Sequence, residues 1–79
     1  MHNVSDDAFA GEIVAVLRST CIGFQRHGAE LVPVIESLVR PKEGAPTRVY
    51  LVRSRDGAIN RVLRRRPPID IPAPSRTAY

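Results

Sequence analysis

Asp56-Gly57 is set between two short apolar runs, Val49–Val52 before it and Ile59–Leu63 after it. An Asp-Gly pair in that setting is the strongest short-range signal for a β-hairpin, because both residues accept the left-handed backbone of a tight turn. Val49-Tyr50-Leu51-Val52 also has high strand propensity. A two-residue turn sets 55 opposite 58, 53 opposite 60, 51 opposite 62 and 49 opposite 64. Tyr50, Val52, Ile59 and Leu63 then share one face, which is expected to pack on the rest of the chain. Arg53, Arg55, Asn60 and Arg64 crowd the other, with Val49, Leu51 and Val62 beneath them. The same residues also fit a helix over 57–66 with Asp56 as its N-cap, since short apolar runs do not separate the two by period alone.

The hairpin region is strongly basic. Arg48, Arg53, Arg55, Arg61, Arg64, Arg65 and Arg66 all fall between positions 48 and 66. Residues 40–79 carry a net charge of +7, whereas residues 1–39 carry −3. A basic surface is the electrostatic footprint of a partner that presents phosphates or carboxylates. The competing reading is a solvated strand face whose charges guard a sheet edge. Arginine outnumbers lysine eleven to one, which suits bidentate phosphate contacts and equally suits GC-rich coding in a bacterial or phage genome.

Upstream, Phe9, Ile13, Val16, Leu17, Cys21 and Phe24 recur at three- and four-residue spacing, which predicts an amphipathic helix from about residue 6 to about 26. Ile13–Leu17 alone also fits a buried strand, but Glu12, Arg18, Ser19, Gln25 and Arg26 fall off the apolar stripe and favour the helix. Ser5 or Asp6 serves as its N-cap, with Asp6 and Asp7 at the positive end of the helix dipole, and Gly28 as its C-cap. Leu31, Ile35, Leu38 and Val39 predict a second helix that starts near Pro33 and ends at Arg40-Pro41. Residues 41–46 form a loop. Pro67-Pro68 ends the hairpin, and Ile69–Tyr79 is expected to be an extended or disordered Pro-rich tail. The expected architecture is α+β: two N-terminal helices on a basic hairpin, as one small domain over 1–66, followed by a tail over 67–79.

Chemistry-bearing constellations are few. Cys21 lies on the apolar stripe, which favours a buried structural thiol over a nucleophile, and His27 is misplaced to activate it. His2 and His27 lack further ligands at metal-binding spacing, and one cysteine excludes an internal disulfide. No phosphate loop or nucleophile elbow occurs. The chain reads as non-enzymatic, without cofactor or metal. It is expected to carry no signal peptide or membrane span and to reside in the cytoplasm. The lead expectation is a regulatory or accessory protein that binds nucleic acid, double-stranded DNA first, through the seven arginines of 48–66. Scarce aromatics argue against a stacking platform for single strands. The rival is a protein-interaction module whose basic face meets an acidic protein surface. Uncovered Val49, Leu51 and Val62 suggest a homodimer, unless the Pro-rich tail folds back over them.

Overall fold

The computed structural model of the protein describes residues 12–74. They form β1 (Ile13–His27), β2 (Glu30–Pro41), β3 (Thr47–Arg53), β4 (Asn60–Leu63) and β5 (Ile71–Pro72). All five strands join one antiparallel sheet in the order β4-β3-β2-β1-β5. There is no α-helix among the described residues. The α+β expectation is therefore overturned: residues 13–26 of the first expected helix lie in β1, and the second expected helix is β2. Ser5, Asp6, Asp7 and Phe9 fall outside the described residues.

The error has a physical cause, and it lies in the pleat. β1 has 15 residues where β2 has 12. Three register shifts in β1, between Ile13 and Ala15, Val16 and Arg18, and Cys21 and Gly23, absorb the difference. Each leaves one extra residue on β1 and bends it. The β1 residues that face the same side are consequently Ile13, Val16, Ser19, Cys21 and Phe24, opposite Pro41, Val39, Ser37, Ile35 and Pro33. Their spacing of two and three imitates a helical stripe, although each one stands on a strand.

β2 is regular, but its buried side changes halfway along. Val32 and Val34 are buried on one side, here the first face, whereas Ser37, Val39 and Pro41 are buried on the other, the second face. Two clusters result. Val32, Val34 and Val52 pack with Ile22, Ile59, Leu63 and Ile69 on the first face. Val39, Val49 and Val62 pack with Ile13 and Leu51 on the second. Burying a valine side chain in this way contributes about 1.5–3 kcal/mol relative to leaving it exposed. Ser37, only 1% exposed, is satisfied by the Ser19 hydroxyl at 3.0 Å. A chain that buries opposite faces at its two ends shows no clean alternation, so period-based reading loses its signal.

β1 and β2 turn at Gly28-Ala29, with Gly28 at φ +62° and no positive φ at any non-glycine described residue. That is the pattern of a II′ hairpin, which needs glycine at its first central position. The expected helix C-cap is thus a strand turn. Gly28→Ala is expected to destabilise the fold by about 1–2 kcal/mol, the cost of a Cβ in the left-handed region. A denaturation midpoint identical to that of the native chain would contradict this.

In the β3–β4 hairpin, Leu51 pairs with Val62 and Arg53 with Asn60, the register expected from the sequence. The turn is wider than two residues: Ser54 donates its N–H to the Ile59 carbonyl at 2.8 Å and closes a loop over 54–59. The 57–66 helix is absent, since β4 occupies Asn60–Leu63. Val49 and Val62 are buried against Val39 within the chain, so they need no second chain to cover them.

After Arg66 the chain does not leave the sheet. Pro67 is buried, Ile69 packs on the first-face cluster, and Ile71–Pro72 pair with Phe24 and Gly23 of β1. The Asp70 carboxylate accepts the Arg26 N–H at 2.7 Å, and the Phe24 carbonyl accepts the Asp70 N–H at 3.0 Å. Residues 64–70 thus carry the chain from the β4 edge to the β5 edge across the first face.

Candidate nucleic-acid interface

All seven arginines of 48–66 are exposed, but they do not share a face. Arg48 stands opposite Leu38 and Arg61 opposite Val52, both on the first face. Arg53 stands opposite Asn60 on the second face. Arg55 lies in the β3–β4 turn, and Arg64, Arg65 and Arg66 lie in the crossing segment. Five residues of extended strand separate Arg48 from Arg53 by about 17 Å. The expected single arginine ribbon is therefore divided into two groups, because side chains alternate along a strand and β3 runs between the two ends of the sheet.

The first group gains members that the sequence did not suggest. Arg18 of β1, Leu38 of β2 and Arg48 of β3 form one cross-strand row on the first face. Arg40 follows Leu38 by two residues, hence on the same face. All three arginines are exposed. Adjacent strands lie about 4.8 Å apart, so the Arg18 and Arg48 backbones are about 10 Å apart across Leu38. Arg18 and Arg40 belong to the segments read as acidic or helical. The charge asymmetry along the chain is not one in space, since β1 and β2 interleave with β3 in one sheet. In the neighbouring row on that face the Glu36 carboxylate accepts the Tyr50 hydroxyl at 3.2 Å, which sets one acid beside three arginines.

The second group sits beside acids. Arg53 and Arg55 line a groove of about 770 Å³ together with Glu30, Asp56, Leu31 and Pro33. The Glu30 carboxylate accepts the Arg55 N–H at 3.2 Å. Two carboxylates offset two guanidinium groups here, so this end attracts phosphate less than the Arg18–Arg40–Arg48 cluster does.

Asp56 holds the turn that carries Arg55. Its carboxylate accepts the Ala58 N–H at 3.0 Å and the Ser54 hydroxyl at 2.9 Å. Those bonds favour the ionised form and hold its pKa below the ordinary value of 3.8, the Ala58 bond most of all. A lowered folded-state pKa means that the turn's contribution is complete above the unfolded value and fades as pH falls through the folded one. Acidification below about pH 3.8 is expected to loosen residues 54–59 first. Asp56→Asn should remove that component of the acid transition; amide exchange at Ala58 and Ile59 checks both.

Cys21, expected as a buried thiol, is exposed, with its Sγ 3.6 Å from the Gly23 carbonyl. Phe24 is half-buried and Tyr50 is 8% exposed, so neither offers a free ring for stacking. Tyr79 lies outside the described residues. No known family model, no curated protein and no solved structure matches this chain.

Proposed function

We propose that the protein binds double-stranded nucleic acid through the first face of its sheet, with Arg18, Arg40 and Arg48 meeting backbone phosphates. The carrying observation is the cross-strand row Arg18–Leu38–Arg48 with Arg40 beside it, three exposed guanidinium groups on one face. The chain carries twelve Lys and Arg against eight Asp and Glu, a net +4 that supplies the long-range field. Arg61 shares this face, and Arg64–Arg66 lead away from its edge. With no free aromatic ring in the cluster, contact is to phosphate rather than by base stacking.

Fluorescence anisotropy with random-sequence duplex DNA and duplex RNA over a salt series tests this. Each phosphate contact adds roughly −0.9 to the log–log salt slope, so Arg18→Ala/Arg40→Ala/Arg48→Ala should flatten it by about 2.7. Arg53→Ala/Arg55→Ala should flatten it less, because Glu30 and Asp56 already offset that pair. Absence of binding at low salt, or a triple variant that binds like the native chain, overturns the proposal. The second reading is an acidic protein surface as partner of the same face, favoured by half-buried Leu38 amid the arginines. It is supported if the triple variant loses a co-purifying protein while no duplex binds.

A further inference from the structure

β5 covers only Gly23 and Phe24 of the outer side of β1. The Ile22 carbonyl accepts the Ala73 N–H at 3.2 Å, and no strand lies beyond residues 13–21 among the described residues. That open edge is the most apolar exposed stretch of the sheet: Val14 is 64% exposed, Val16 55% and Leu17 44%. Unpaired edges with apolar side chains template pairing with another strand.

We infer that this edge pairs antiparallel with the same edge of a second copy, about a two-fold axis at Ala15. Three features of β1 suit a second copy. Ile13 and Val14 of the first bulge stand opposite Leu17 and Val16 of the partner's second bulge, so each bulge meets a bulge instead of a regular strand. Val14 of each copy then stands opposite Val16 of the other, and Leu17 opposite Ile13, with Ala15 against its own counterpart, as an isologous contact requires. Charge also matches. Glu12, placed at the head of β1 by the bond from the Lys42 N–H to its carbonyl at 2.7 Å, is exposed, and so is Arg18. The two-fold brings Glu12 of each copy within reach of the other's Arg18, twice in one interface. A two-fold normal to the sheet keeps equivalent faces on the same side, so two Arg18–Arg40–Arg48 clusters face one way. Arginine has five N–H donors, and a carboxylate on one edge of Arg18 leaves others for phosphate.

Sedimentation equilibrium of the full chain over a wide concentration range tests the inference, with DNA absent so that its outcome is independent of the proposed function. A dimer in reversible exchange with monomer is expected. Glu12→Lys and Arg18→Glu should each raise the dimer Kd about tenfold or more, and Glu12→Lys/Arg18→Glu together should restore it. Val14→Lys, at the most exposed of these positions, should dissociate the dimer while the thermal midpoint of the monomer stays unchanged. A native chain that is monomeric throughout overturns the inference, as does a dimer indifferent to both single charge reversals. If either reversal unfolds the chain, Val14→Lys decides alone.

Discussion

Gly23→Ala destabilises the protein by about 1–3 kcal/mol, the range found when a packed core is forced to accept an extra carbon. Gly23 is buried where β1 is gripped from both sides, by Val34 of β2 and Pro72 of β5. An added Cβ would collide with the Ile69 side chain, lie 2.7 Å from the Ile71 carbonyl oxygen and 3.3 Å from the Pro72 Cα. Two of those neighbours are backbone and cannot turn aside. The strand pair β1–β5 must separate, and Ile69 must leave the first-face cluster. Urea denaturation measures the loss. A double-mutant cycle with Ile69→Ala locates it: removing the colliding side chain should recover part of the cost, so the two changes are non-additive. Additive effects, or a loss below about 0.5 kcal/mol, would mean that the β1–β5 contact yields easily.

Ending the chain after Arg66 has the larger effect. It removes buried Pro67, Ile69 of the first-face cluster and the whole of β5. Each partly buried aliphatic side chain lost from such a cluster costs about 1–3 kcal/mol. A domain of this size has only about 4–12 kcal/mol in total. The shortened chain is therefore expected to be largely unfolded near room temperature, with collapsed amide dispersion in a proton–nitrogen correlation spectrum. Ile69→Ala alone should give a folded protein with a lowered midpoint. A shortened chain with native dispersion would show that Val32, Val34 and Val52 hold without their cover.

These two outcomes bear on the site as well. β5 pairs with β1 at Gly23 and Phe24, and the same strand presents Arg18 beside Leu38 and Arg48. A chain that loses β5 but keeps its charges separates nonspecific attraction from the positioned cluster: weak, salt-sensitive duplex binding would persist, with a flatter slope than that of the folded protein.

Local chemistry was legible before any coordinates. The β3–β4 pairing of Leu51 with Val62 and Arg53 with Asn60 follows from Asp-Gly and the apolar runs around it, because those contacts are close in sequence. So does the exposure of the seven arginines, whose charges resist burial. The loop expected over 41–46 was also visible from its prolines and glycine, although β2 runs through Pro41 and leaves only 42–46 outside the strands. Apart from Ile13–Leu17, which fits a strand as well as a helix, neither the strand identity of residues 13–41 nor the arginine cluster was legible. Three bulges spread the β1 face over positions 13, 16, 19, 21 and 24, and β2 changes its buried side between Val34 and Ser37. Both erase the two-residue period by which a strand is recognised. Which residues share a face then depends on cross-strand register, and register is set by partners far away in the chain. Arg18 and Arg48, thirty positions apart, become neighbours only when β2 lies between them.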